Sequence, residues 1–405
     1  MKYHSNRVSP VMRKLIVMDV QRDLNYQFGW NRYIMKYVGI WPKERKWNRL
    51  SSYVVLLPSL TMLCFVCAPQ TANLPFIAHD LNLVVENLSM GNMTVSIALV
   101  KTIIFWTKSE PMTSLLKCMA KDWATVETRI GRETMMNVAR ISRKTTIGCL
   151  MLCQLVATSY MFLRLSTLKY SDNKLVYRSY FPYNASISPS YELTMIGQVM
   201  AGVYGALTYT SVDTFIAMLV LHACGQLSNL KDDLRNIHSC DRKDLQARLK
   251  KIVEKHNYII GFAETVENCF NVMLLIQMLG FTVQLCFQSF QAITSFGDKS
   301  EQFMIFQIIF LVIYIACVMV QLYLYCYVGE RLTLESTDVA NTAYNCEWYS
   351  LPPKDARLLI IVMCRARASP LKLTAGKFCW FTVLLYSQVL KTTMSYISVL
   401  HATKS

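Results

Sequence analysis

The chain has 405 residues, 53% of them hydrophobic, and Gly and Pro number only 14 and 11. No polar linker divides it, which excludes a string of soluble domains; the apolar residues gather instead in runs of the ~20 residues a bilayer-crossing helix needs. The formal net charge of +16 does not mark a nucleic-acid partner, because Lys and Arg sit between the apolar runs rather than among aromatics along a groove.

From the start, "MKYHSNRVSPVMRKLIVMDVQRD" holds no apolar core long enough for a secretory signal, so the first membrane helix is expected to direct insertion. Seven runs qualify as spans, near 51–67, 82–106, 146–167, 191–222, 266–291, 303–327 and 374–401. The second is interrupted by Glu86, Asn87, Asn92 and Lys101. Between spans, Lys plus Arg number 33 on one side and 5 on the other. The positive-inside rule then predicts a cytoplasmic N-terminus and an extracellular C-terminus, with membrane lipid as the surrounding partner. The expected fold class is an all-α membrane protein of seven transmembrane helices. It divides into a cytoplasmic segment (1–50), helices one to six (51–327), a cytoplasmic anchor segment with a short helix (328–373), and a seventh helix with a short outer tail (374–405).

"NAS" at Asn184 is a glycosylation sequon in a connection that the charge count places outside. "NLS" at Asn87 and "NMT" at Asn92 fall within or beside the membrane and are expected to be silent. None of the 14 cysteines lies in an outer connection, so no extracellular disulfide is implied. "CFVC" at Cys64–Cys67 has redox spacing without a strand–helix context, and "HAC" at His222–Cys224 lacks a second ligand pair. P-loop, HExxH and nucleophile-elbow motifs are absent, so no catalytic residue, metal or cofactor is assigned, and the chain does not read as an enzyme.

Two ionisable residues lie mid-span, Asp213 in the fourth and Lys391 in the seventh. Each is costly alone in lipid. A mutual ion pair and two separately hydrated sites both stay open. Between spans four and five, Leu245, Leu249, Ile252 and Ile259 recur at helical spacing, which extends span five as a cytoplasmic helix. "PKDARLLIIVMCRARASPL", bounded by Pro353 and Pro370, reads as a second cytoplasmic helix. In the seventh span Gln388, Lys391, Ser395 and Ser398 are spaced three, four and three apart, a polar stripe on one helix face. The stripe either makes a helix contact or lines water. With the orientation set, the outer halves of spans three, four and six offer Ser159, Tyr160, Phe162, Met195, Met200, Tyr204, Phe306, Gln307, Phe310 and Tyr314. Aromatic walls with a few polar groups suit a small hydrophobic ligand; ordinary packing would use the same residues.

The chain also resembles the insect odorant receptors along nearly its whole length. The stretches that carry the likeness are "YVGIWP" (37–42), "FPYNASISPSYELTMIGQ", "HACGQLSNLKDDL", "KKIVEKHNYIIGFAETVENCFN", "YVGERLTLESTDVANTAYNCEWYSLP", "SPLKLTAGKF" and "LKTTMSYISVL". That resemblance implies an odorant-gated, non-selective cation channel subunit that joins the shared odorant co-receptor in a heterotetramer. It implies a cell-membrane location in a sensory neuron dendrite. A small volatile hydrophobic ligand would bind between spans two, three, four and six, with Asn87 and Met90 of span two added to Ser159, Tyr160, Phe162, Met200, Tyr204, Phe306, Phe310 and Tyr314. The pore would be lined by Gln388, Lys391, Ser395, Ser398, Val399 and Ala402, with Val399 as a gate closing by dewetting. Ala402 departs from the polar filter residue of the co-receptor. A G-protein-coupled chemoreceptor is the alternative; it would need the reverse orientation, an extracellular cysteine pair and an Asn-Pro in span seven. A secondary transporter would want internal repeats, and none is seen.

Overall fold

The computed structural model describes residues 10–42, 53–126, 128–167, 175–237, 242–294 and 301–404. Helix α1 (Pro10–Tyr37) comes first, with non-helical backbone at Gly29. Helices α2 (Leu56–Met62) and α3 (Ala68–Ile77) are joined through a π-turn at Leu63–Cys67, and α4 (Leu81–Asn87) and α5 (Met93–Thr107) through another at Leu88–Asn92. Then follow α6 (Ser109–Thr125), α7 (Arg129–Thr167), α8 (Ser190–Arg235), α9 (Arg242–Thr294), α10 (Glu301–Tyr344), α11 (Pro353–Ala368) and α12 (Val383–Lys404). Among the described residues, five helices are long and apolar enough to cross a membrane: Leu56–Ile77, Arg129–Ser166, Ser190–Arg235, Asp244–Gln291 and Ile305–Tyr344; Met93–Thr107 is apolar but shorter.

Local chemistry explains where these helices begin and end. Asp80 caps α4, its carboxylate accepting from the backbone N–H of Asn82 at 2.9 Å and of Leu83 at 3.4 Å. Helix α11 starts with Pro353 and Asp355 and ends with Arg365 and Arg367, each sign at the favourable end of the helix dipole. The expected seventh span differs at its start. Residues Thr374–Ala375 and Cys379–Trp380 form a two-stranded antiparallel hairpin, and helix begins only at Val383. Gly376 and Lys377 both take positive φ (60° and 65°) in the three-residue connection, and the Phe378 N–H closes the turn on the Ala375 carbonyl at 3.1 Å. Glu267 of α9 accepts from the Thr374 backbone N–H at 3.0 Å, and the Gly376 N–H donates to the Asn271 carbonyl at 2.8 Å, which fixes the hairpin against α9.

Helix α8 is the centre of the molecule. In its most apolar window 94% of the residues are buried within the chain, and it packs against α1, α2, α5, α7, α9 and α10. Its buried charge at Asp213 is met by neighbouring helices. Lys101 of α5 and Asp213 of α8 form an ion pair with side chains only 0% and 2% exposed. Tyr325 of α10 donates to the same Asp213 oxygen at 2.5 Å. The Lys101 ammonium also donates to the Tyr209 carbonyl at 3.2 Å and lies 3.6 Å from the centroid of the Tyr209 ring. Asp213 therefore pairs with Lys101, a residue that interrupts the expected second span, while Lys391 is exposed on α12.

The N-terminal segment is more than a tail. Helix α1 carries buried Asp23, Gln27 and Asn31 into the bundle. Asp23 accepts from Arg132 at 2.6 and 2.8 Å, Gln27 accepts from the Trp123 indole at 2.5 Å, and Asn31 accepts from Thr214 at 2.7 Å. Thr214 adjoins Asp213, so α1 reaches the level of the buried pair.

Below the expected spans, α8, α9, α10 and α11 continue as one helical body. Lys231 bridges Glu335 and Asp338 at 2.8 and 2.7 Å, and Lys255 pairs with Asp233 at 2.7 Å. His256 of α9 is buried there. Burial, and then the charge of Arg365, hold its pKa below the ordinary 6.5. The unfolded chain thus takes up a proton on His256 at higher pH than the folded chain does. Its contribution to stability is complete above 6.5 and is lost as pH falls through the lowered folded value. Acidification below about 6.5 is expected to lower the thermal stability of the purified protein, and His256→Gln to weaken that dependence. Thermal unfolding from pH 7.5 to 5.5 checks it.

Candidate functional site

The connection before α8 folds inward, among α3, α4, α7 and α8. Residues 175–180 are held on every side. Arg164 of α7 donates to the carbonyls of Val176 and Leu175, each at 3.1 Å, and lies 3.4 Å from Glu86. Gln198 of α8 accepts from the Tyr177 N–H at 3.1 Å and donates to its carbonyl at 3.0 Å, as a strand neighbour would. Asn87 donates to the Arg178 carbonyl at 3.0 Å, and the Tyr180 N–H donates to the Pro69 carbonyl at 3.0 Å. These bonds satisfy a buried backbone segment and press one side chain, Tyr177, into the bundle.

Tyr177 is 5% exposed and stacks on Tyr160 with centroids 5.5 Å apart. Its seat is cut from glycine: a Cβ on Gly202 would stand 2.8 Å from the Tyr177 hydroxyl oxygen, and one on Gly91 would stand 2.8 Å from the ring. Tyr160 in turn meets Phe310 at 5.8 Å, and Phe310 meets Tyr314 at 6.0 Å. Four aromatic rings from α7, α10 and the loop thus form one continuous wall.

Of the ligand-binding residues expected from the sequence, Tyr160, Phe310 and Tyr314 come together here. Phe162 and Phe306 form a second pair, 6.2 Å apart, on an outer face where both are more than half exposed. The Ser159 hydroxyl turns back on its own helix, to the carbonyls of Leu155 and Val156. Tyr204 lies 6.0 Å from Tyr37 of α1 and packs against the apolar cluster that holds Tyr177. Met200 is half-buried, and the Met90 side chain lies outside the described residues. Asn87 serves the loop backbone. Tyr177, Arg164 and Gln198 are not among the site residues expected from the sequence; the end of a span beside a charged connection is their only signal.

On α12, Gln388, Lys391, Ser395 and Ser398 are all exposed in the single chain. The helix packs on α9 and α10 through Leu385, Tyr386, Val389 and Leu390. A cavity of about 150 Å³ opens between Thr282, Leu285, Cys286 and Ser289 of α9 and Gln388, Val389, Thr392 and Thr393 of α12. The side chains of Val399 and Ala402 lie outside the described residues. Asn184 is exposed, its side chain accepting from the Ser186 N–H at 3.0 Å in a tight turn. Asn87 and Asn92 are buried.

Removing the ring that fills the glycine-cut seat should be costly. Tyr177→Ala is expected to destabilise the fold by about 3 kcal/mol, the loss typical of a buried aromatic cut to alanine. Chemical or thermal unfolding of the purified variant measures it.

A family model described as 7tm Odorant receptor matches residues 80–394. Odorant receptor 13a of Drosophila melanogaster is 30% identical over 242 residues, 56% of this chain and 57% of that one. The odorant receptor coreceptor of the same species is 25% identical over 156 residues, 38% of this chain and 31% of that one. The chain thus spans little more than half the length of the first of these curated relatives, and less of the second. In structure, the insect olfactory receptor OR5 from Machilis hrabei, solved in complex with eugenol, superimposes with a TM-score of 0.80 at 14% identity, covering 96% of this chain and 99% of that one. That likeness is one of fold and extends over nearly the whole chain. The chain belongs to the insect odorant receptor family.

Proposed function

We propose that this chain is the odorant-binding subunit of an odorant-gated, non-selective cation channel, assembled with an odorant co-receptor subunit around a pore lined by α12. The observation that carries this reading is the polar stripe Gln388, Lys391, Ser395 and Ser398, which the chain's own helices leave uncovered. A polar stripe in lipid is costly unless water or another subunit covers it, and a pore shared among subunits supplies both. The orientation follows the charge count: seven spans, the N-terminus and the α8–α11 helical body in the cytoplasm, the C-terminus and Asn184 outside. Asn184 is then the glycosylated sequon, and the seventh span comprises α12.

The ligand is a small, volatile, mostly apolar molecule that packs on Tyr160, Phe310 and Tyr314 beneath Tyr177. Binding favours the open arrangement, and only the difference in affinity between open and closed states moves the gate. No catalytic residue is required. Lys391 fits a cation pathway when its stem lies along the wall and its ammonium reaches the wide end of the vestibule. Val399 is the hydrophobic constriction, and Ala402 leaves ion selection to the co-receptor's contribution.

Whole-cell recording from cells that express the chain with a co-receptor, with an epitope tag after Ser405, tests this. Expected are tag staining on intact cells, cation currents evoked by small apolar volatiles, and a half-activating concentration at least about tenfold higher in Tyr160→Ala, the loss of one aromatic contact. Surface-expressed chain whose tag stains only after permeabilisation, or responses that need a G protein, would contradict it.

A further inference from the structure

One face of α9 carries four glutamines, Gln277, Gln284, Gln288 and Gln291, at steps of seven, four and three. The first three are 0%, 2% and 0% exposed. Three of the four have a clear partner. Gln277 donates to the Tyr209 hydroxyl, beside the buried ion pair. Gln284 donates to Thr94 at 3.3 Å and Gln291 to Ser89 at 2.9 Å, both on the π-turn and α5 side of the bundle. Gln288, one turn from each of these two, has neither its amide nitrogen nor its amide oxygen bonded, although both atoms are buried. A fully buried carboxamide with both ends open is rare, since each end forfeits the hydrogen bond that water gave it.

The same layer of the bundle holds the aromatic wall. Helices α9 and α10 pack together and are joined by residues 295–300. Gln288 stands six residues before the end of α9 and Phe310 nine after the start of α10, which puts them at depths of roughly 9 and 14 Å from that connection. Thr94, which accepts from Gln284, lies within hydrogen-bonding reach of Tyr314. Phe281, Leu285, Phe310, Leu311 and Tyr314 belong to one buried apolar cluster. Gln288 thus lies on the α9 face that carries Gln284, one turn from it, at about the depth of the aromatic wall.

We infer that Gln288 is the polar anchor of the ligand site, holding the hydroxyl or carbonyl oxygen of a small, otherwise apolar ligand whose carbon skeleton lies against Phe310 and Tyr314. The inference rests on the proposed odorant-binding reading. It adds a chemical class: oxygenated ligands over hydrocarbons of the same skeleton. A hydroxyl satisfies both ends of the amide, and a ketone or aldehyde satisfies its N–H. A site built around such a group discriminates strongly, because the analogue lacking the oxygen leaves the buried amide unpaired.

The test uses the full chain, purified in detergent, and Gln288→Met, which keeps length and volume but cannot hydrogen-bond. Thermal unfolding is followed against 1-octanol, 2-octanone and n-octane. In the wild type the two oxygenated probes should stabilise at concentrations at least about tenfold lower than octane, a ratio worth one hydrogen bond. In Gln288→Met that preference should vanish while the response to octane persists. Gln291→Met, which alters a bonded neighbour, should keep it. Equal responses to all three probes in the wild type, or an unchanged preference in Gln288→Met, would overturn the inference and leave only an enclosed water at the amide. Binding and conduction are read separately. If the preference persists where the co-expressed channel gives no current, the anchor stands and the channel reading falls. If currents to 1-octanol have the same half-activating concentration in both proteins, the anchor falls and the channel reading stands.

Discussion

Two opposite charges meet inside the bundle, and the arrangement of the other helices depends on them. Lys101 and Asp213 are shut away from solvent, where a lone charge is expensive and a pair is sustained by the further bonds its groups make. Here the ammonium is taken up by the carboxylate, a backbone carbonyl and the face of Tyr209, and Tyr325 bonds the same carboxylate oxygen, while the second Asp213 oxygen stays unbonded. The partners come from α5, α8 and α10, so three helices are tied at one point. Hydrophobic packing in lipid is non-directional and could not by itself choose that register; a fixed pair of charges can.

From this point the structure runs in two directions. Toward one end, Tyr209 leads to Gln277 and the glutamine face of α9, and the aromatic wall closes beneath Tyr177. Toward the other, Thr214 and Asn31 bring in α1, and His222 of α8 meets Asp122 of α6 at 2.9 Å. The helical body of α8 to α11 then carries Lys231 and Lys255 with their carboxylates. A shift of α10 against α8 would therefore act on the ion pair as well as on α12, which packs directly on α10. The tie sits between the candidate ligand layer and the parts that subunits would share.

Much of the helical framework was legible because apolar run length is a local sum over many residues. The helices that contain spans three to six fall where the runs predicted, and the "PKDARLLIIVMCRARASPL" helix appears as α11 between its prolines. What escaped depends on partners distant in sequence. Lys101 read as an interruption of the second span, although it is a component of the core; its partner lies 112 positions away, beyond any periodic signal. The first residues of the expected seventh span were apolar enough to count as helix, yet the turn at Gly376 and Lys377 and the carboxylate of Glu267 make them a hairpin. For the candidate site, aromatic spacing marked Tyr160, Phe310 and Tyr314, which the structure joins in one wall, but it could not foresee that Tyr204 meets Tyr37 of α1. Tyr177 lay in a connection that nothing in the sequence folds inward until Arg164 and Gln198 are placed around it.

The central claim, that the buried pair holds the bundle together, is tested most directly by a double-mutant cycle. Lys101→Met, Asp213→Asn and the combined variant are purified and unfolded by heat or denaturant. Each single change leaves an unpaired buried partner and should cost about 3–5 kcal/mol. The combined variant should cost less than either, because no charge remains to be stranded. If instead the two losses simply add, the side chains contribute independently, and the tie between α5, α8 and α10 is not what holds the molecule.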